Sequence, residues 1–446
     1  MIMEITASEI DRLLARLFPI NRSLAGDGNR ETLGVLKELI PLEIFEYQSG
    51  KEVYDWVIPD EWCIRDAWIK DNTGERLVDF KTNNLHVVGY SEPINKWMTF
   101  DELSPSLHVL EGSPEAVPYR TSYYTRSWGF CVNSKQYKCL RQVEGKLEVV
   151  IDSEFDTNGS MSIGELRIPG ERCDEYLIST YICHPSMAND NLSGIITSTL
   201  LAKSILDSGK PQYSWRFVFI PETIGAIAYL YHNEDNIEGV KGGFVVSCCG
   251  GQGPLGYKES FLGDSLVDRA VRLAFRDRSI EAIRYPFSPL GSDERQYSSP
   301  GFRIPISTIC KDKYYEFPEY HTSLDNLSFV NGEQILESLV LYQDATRILD
   351  QNANFVSNIS KGEVRLGSRG LYPKTGGSIN QPAIGGFNVE QGNSELDVIS
   401  WLLFMADGKN DLVTIAERSG IAYTDLLRVG QMLLSKKIIR SVQQIE

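Results

Sequence analysis

Apolar residues recur at helical spacing through residues 7–40, first at Ile10, Leu13, Leu14 and Leu17, then at Leu33, Leu36 and Leu39. This pattern predicts two amphipathic helices with a break near Asn21–Asn29. From about 48 to 140 the period shortens. WCIRDAWIKD and LHVVGY alternate like strands, with DNTG, SEP and GSPE as turn punctuation, and aromatic residues crowd the stretch. It reads as an inserted β-rich module.

Between 147 and 350 strands and helices alternate. LEVVIDSEF, SIGELRI and EYLISTYIC read as strands, and SGIITSTLLAKSILDSG as a helix ended by Gly209. WRFVFIP and GGFVVSCC read as buried strands, TIGAIAYLYHN and SLVDRAVRLAFRD as helices. Continuous apolar strands between helices predict an α/β fold: a mixed sheet with helices on both faces. Residues 362–393 are rich in glycine and polar side chains and read as a linker or extended arm. After 394, three short helical patterns precede the strand-like IIRSV, the order of a winged helix-turn-helix. The expected organisation is a discontinuous α/β domain (1–47 and 141–361), a β-rich insert (48–140), a linker (362–393) and a winged helix (394–446).

Composition narrows the function classes. With 42% hydrophobic and 23% charged residues in 446, the chain is an ordinary globular protein. Lys and Arg total 44 against 60 Asp and Glu, a net charge of −16. That charge argues against nucleic acid or an anionic membrane surface as main partner. The presumed recognition helix holds only Arg428 before Lys436 and Lys437, so its expected role is self-association or contact with a partner protein, a role open to the insert as well. No apolar run approaches the roughly 18 residues of a membrane helix. Glu4 stands where a signal peptide carries positive charge, which makes the cytoplasm the expected location. The eight cysteines lack CxxC spacing and read as reduced thiols, mostly buried. Five histidines (His86, His108, His184, His232 and His321) form the whole pool for any histidine-dependent site.

Four segments carry candidate chemistry. In TYICHPSMANDNLSG a buried strand delivers His184 at its carboxyl end, and Asp190 follows just before a helix. An imidazole and a carboxylate in that place suit zinc, although taken alone such a pair is more often a satisfied loop histidine and a helix N-cap. In WRFVFIPETIG an apolar strand runs into Glu222, either an anion at a helix start or a functional acid/base. FPEYHTSLDN presents His321, and SPLGSDERQY packs Ser292, Asp293, Glu294, Arg295 and Tyr297 into one loop region.

Taken together, ICHPSMANDNLSG, PETIG, GSDERQY and YHTSLDN resemble the zinc aminopeptidase family, whose fold extends to zinc carboxypeptidases and glutaminyl cyclase. More narrowly, the chain resembles a bacterial branch that carries an inserted β-rich domain and a C-terminal winged helix, linked by context to cell-surface polysaccharide biosynthesis. The resemblance implies His184, Asp190 and His321 as metal ligands and Glu222 as general base. It also implies a small peptide-like or amine-bearing substrate. Two departures matter. The dizinc enzymes have Glu-Glu where this chain has Glu222-Thr223, and their later aspartate ligand falls near Ser247–Cys249, where no carboxylate exists. Adjacent cysteines on one strand point to opposite faces, so at most one could serve. The expected cofactor is therefore a single zinc ion with an open fourth position. Asp293 or Glu294 is a candidate for a substrate ammonium, and Arg295 or Tyr297 for an oxyanion or carboxylate, with Ser292 in the same loop. Two other readings stay open: a zinc deacylase or glutaminyl-cyclase-like transferase, and a non-hydrolytic metal-binding scaffold for carbohydrate or a partner protein.

Overall fold

Strands of six or seven residues buried on both faces form only where helices cover both sides of a sheet, and that arrangement organises the larger part of this chain. The computed structural model describes residues 5–371 and 395–442. The chain divides into two compact units, 1–265 with 282–343, and 266–281 with 344–446.

The first unit is built on an eight-stranded mixed sheet. Its strands in chain order are β1 (Glu43–Gln48), β2 (Ser160–Ile168), β3 (Glu175–Tyr181), β4 (Ser214–Ile220), β5 (Val240–Val245), β6 (Leu255–Lys258), β7 (Ile283–Tyr285) and β8 (Ile306–Lys311). They lie in the order β1-β2-β4-β3-β5-β8-β6-β7. The central run β4-β3-β5-β8 is parallel. Close approach between β5 and β3 explains Gly243, where a Cβ would meet the Leu177 carbonyl oxygen at 2.0 Å. Helices α1 (Ala7–Leu17) and α2 (Asp27–Lys37) follow the predicted break, and Thr6 caps α1 through a capping box with Glu9. α3 (Gly194–Asp207) and α4 (Ile224–His232) follow β3 and β4. Pairing of Tyr181 with Ile220 sets the carboxyl ends of β3 and β4 side by side.

The inserted stretch forms an antiparallel four-stranded sheet, in the order Arg76–Asp79, Glu61–Lys70, Leu147–Asp156, Ile94–Met98. Its core is built from Trp62, Ile69, Val149 and Ile151 among others. LEVVIDSEF, read as a strand of the α/β alternation, belongs to this second sheet. An apolar strand pattern states that a strand is buried without naming the sheet that buries it.

In the second unit, helices Glu395–Met405, Leu412–Ser419 and Tyr423–Ser435 join a three-stranded antiparallel sheet of Asp407–Asp411, Asn354–Ser357 and Ile439–Ser441. This is a winged helix whose central strand precedes the glycine-rich stretch. Helix Leu266–Asp277 packs in the same unit. Its Arg269 Nη2 lies 2.7 Å from Glu417, and Arg276 donates to the Ala416 carbonyl at 2.7 Å. Arg428 is ion-paired with Glu395 at 3.1 Å and Asp425 at 3.5 Å. From residue 372 the predicted linker lies outside the described residues, as do 1–4 and 443–446. Among the described residues, no helix is long and apolar enough to cross a membrane.

Candidate metal centre

Three loops leaving the carboxyl ends of neighbouring parallel strands meet over the first unit's sheet, where open α/β sheets gather their ligands. The loop after β3 brings His184 and Asp190, the end of β4 brings Glu222, and the loop after β8 brings His321. His184, Asp190 and His321 each place a ligand atom within 4.8 Å of the others. Nε2 of His321 is 3.0 Å from Oδ2 of Asp190. Both atoms are buried, and beyond this mutual approach neither has a hydrogen-bond partner. Two ligand atoms set against each other with no other partner are costly unless something binds both. Two imidazoles and one carboxylate suit a single divalent cation, zinc first among them. Around this centre the backbone takes positive φ at His321 (54°), Thr223 (65°) and Cys248 (52°), conformations that non-glycine residues rarely adopt and that cluster at functional sites.

The surroundings tune each group. Burial holds His184 neutral, lowering its pKa to about 4. Burial alone would raise Asp190, but His184, His321 and the Tyr181 hydroxyl outweigh it and hold the carboxyl at about 2. Tyr181 donates to Oδ1 of Asp190, leaving Oδ2 toward His321. Asp325 accepts the backbone N–H of Asn189 at 2.6 Å and of Asp190 at 2.9 Å, clamping the ligand loop from beneath. Such outer partners orient ligands as strictly as the first shell does. Replacing Asp325 by Ala is expected to weaken zinc affinity by about 10–100-fold. Competition with a chromophoric chelator measures that shift, and an unchanged affinity would remove Asp325 from the support of the site.

Glu222 sits beside the cluster, its Oε2 3.9 Å from Nε2 of His184. Ser292 donates to Oε1 at 2.9 Å and fixes the carboxylate's orientation. Burial, with the Asp190 charge adding to it, pushes Glu222 up to about 7. The Thr223 N–H donates to Asp293 at 2.7 Å, and Arg295 donates to the Thr223 hydroxyl at 3.3 Å. Thus Ser292 and Asp293 hold Glu222 and Thr223 rather than facing a ligand directly. Glu294 turns away from this group. Its Oε1 accepts from Thr308 at 2.9 Å and lies 3.6 Å from Nζ of Lys258. Tyr297 is buried in the core with its hydroxyl 2.9 Å from that of Ser179. Arg295 is the member of the loop that lines the cavity beside the cluster.

Cys248 and Cys249 lie in the loop after β5, so the strand-alternation argument does not apply to them. Cys248 packs with Cys310, Tyr314 and Phe317. Burial pushes the Cys248 thiol well up and that of Cys249 to about 12, and neither sulfur belongs to the group of ligand atoms at His184, Asp190 and His321. A second group of potential ligands, Asp27, Glu61 and Cys63, is more open, and its Glu61 is paired with Arg30 at 2.5 Å.

The cluster opens into a cavity of about 300 Å³. His184, Glu222, Thr223 and Arg295 line one part of it, and Trp56, Tyr119, Tyr123 and Tyr124 from the inserted stretch another. Tyr119 also contacts both imidazoles, with ring centroids 5.4 Å from His184 and 5.1 Å from His321. Sequence reading alone did not identify Tyr181, Asp325, Tyr119 or Arg22 at this site. Of these, Tyr181 and Asp325 stood within the candidate segments TYICHPSMANDNLSG and FPEYHTSLDN.

Residues 11–352 match the family described as a domain of unknown function, DUF4910, and residues 354–441 match a winged helix-turn-helix family. A protein of Clostridium acetobutylicum is 40% identical over 437 residues, covering 98% of this chain and 97% of its own. It carries the provisional name of polysaccharide biosynthesis protein with aminopeptidase-like domain. A crystal structure from the same organism, provisionally described as a peptidase, superposes with a TM-score of 0.89 at 38% identity, covering 98% of this chain and 96% of that one. A zinc aminopeptidase from Bacillus subtilis shares the fold at a TM-score of 0.56 and 14% identity, over 78% of this chain and 96% of that one.

Proposed function

From the premise that the chain belongs to the DUF4910 family, we propose that it is a zinc-dependent amide hydrolase of the aminopeptidase type, acting on a small peptide-like or amine-bearing substrate. The observation that carries this reading is the pair of orphaned atoms, Asp190 Oδ2 and His321 Nε2, beside His184 and the cavity-lining Glu222. His184, Asp190 and His321 would hold one ion, and three protein ligands leave a position open. Thr223 offers no carboxylate and Ser247–Cys249 none either, which supports one ion rather than two. When bound, the ion supplies Lewis acidity, polarising the scissile carbonyl and acidifying water.

The chain's own residues do the rest. Ser292 occupies Oε1 of Glu222, so Oε2 is the oxygen available to take a proton from the attacking water and return it to the leaving nitrogen. As the C–O bond forms and the C–N bond breaks, that returned proton lets the nitrogen depart as an amine. Tyr181 and Asp325 keep Asp190 in place through the cycle. The wall of Trp56, Tyr123 and Tyr124 offers flat apolar faces to the substrate. The name of the Clostridium relative supports a role for this reaction in the making of polysaccharide. Deacylation, or a cyclase-like transfer, would use the same ion and the same carboxylate, and the three-ligand set keeps it as the second reading.

The test is hydrolysis of a panel of aminoacyl and N-acyl arylamides by the full-length protein. Hydrolysis is expected with zinc, lost on chelation and restored by zinc. Aminoacyl substrates are expected to lead the panel, and acyl-only substrates leading would favour the deacylase. No turnover of any amide by zinc-loaded protein would favour a binding scaffold.

A further inference from the structure

Two guanidinium groups line the cavity beside the cluster, and neither makes an ion pair with a carboxylate. Arg295 donates only to the Thr223 hydroxyl, at 3.3 Å, and its buried Nε has no partner. Arg22 is 1% exposed. It donates Nε to the His184 carbonyl at 2.9 Å and Nη1 to the Leu17 carbonyl at 2.8 Å, while its buried Nη2 has no partner.

A buried guanidinium nitrogen without a hydrogen-bond partner is costly, and a ligand oxyanion would supply the missing acceptor. The protein as a whole carries −16, which repels anionic ligands, so a site for one needs local cations. Resting on the reading that this cavity takes the substrate, we propose that Arg295, reinforced by the field of Arg22, forms an anion subsite, and that the substrate amide carries an oxyanion group, a carboxylate or a phosphate. Arg295 makes the direct contact, since it is partly exposed to the cavity and its planar fork suits either anion. Arg22, anchored on two carbonyls, acts through its charge.

The test is calorimetric titration of the full-length protein with succinamate, its neutral analogue succinamide, and methyl phosphate, in zinc-loaded wild type, Arg295→Gln and Arg295→Lys and in zinc-free His184→Ala. In wild type at least one of the two anions is expected to bind about 10–100-fold more tightly than succinamide. The tighter of the two identifies the anion as carboxylate or phosphate. The preference is expected to vanish in Arg295→Gln, return in part in Arg295→Lys, and persist in His184→Ala. Persistence without the metal ligand separates this inference from the metal reading, because an anion captured by zinc would lose its preference in His184→Ala and keep it in Arg295→Gln. That reversed pattern, or no preference in wild type, overturns the proposal. Melting curves of the four proteins identify any variant that has failed to fold, and the Gln–Lys comparison then decides.

Discussion

Replacing Glu222 by Gln is expected to lower the rate of amide hydrolysis by about 10²–10⁴-fold while zinc affinity changes little. Glutamine keeps the size of the side chain and its acceptance of the Ser292 hydrogen bond, so the cavity and the cluster persist. It removes the one group beside His184 able to take a proton from water and give it to the leaving nitrogen. The loss is expected in kcat rather than KM, because a proton in transit is a feature of the transition state. Steady-state kinetics on the best arylamide, with zinc content measured on the same preparation, checks this. A variant that lost its zinc would instead make Glu222 a ligand, and one of undiminished rate would place the base elsewhere.

The second large effect concerns the ligands. His184→Ala and His321→Ala are each expected to reduce zinc affinity by more than the about 10–100-fold lost when a residue that orients a ligand is removed, since each deletes one of the three proposed ligands itself. Without metal both are expected to lose stability, His321→Ala because Asp190 loses the imidazole 3.0 Å from its Oδ2, and His184→Ala because it opens space beneath the cavity. Equilibrium dialysis gives the affinities and circular dichroism the fold. Full zinc retention in both variants would sink the ligand assignment.

The sequence made the frame of this site legible because its strongest signals are local. Continuous apolar strands ended at YIC-His184 and IP-Glu222, and parallel sheets bring such ends together. What stayed hidden was set by distance along the chain. Arg22 reaches His184 across 162 residues and Asp325 reaches Asn189 across 136. No local pattern reports such a pairing. Glu294 and Tyr297 illustrate the converse. A polar loop next to the site suggested substrate contact, yet the turn at Asp293 directs them inward, to Lys258 and Ser179. Similarly, the amphipathic helix Leu266–Asp277 was legible as a helix but not as part of the winged-helix unit, because its apolar stripe tells that it is covered and not by what. Cys248 and Cys249 followed an apolar run and looked like strand residues, but the strand ends at Val245.

Hydrolysis by this site depends on one metal ion per chain, held by His184, Asp190 and His321. Elemental analysis of the purified full-length protein, saturated with zinc and freed of excess, is the test to run, beside His184→Ala. About one zinc per wild-type chain is expected, and a loss of most of it in the variant. Two zinc ions per chain, or none in the wild type, would contradict it.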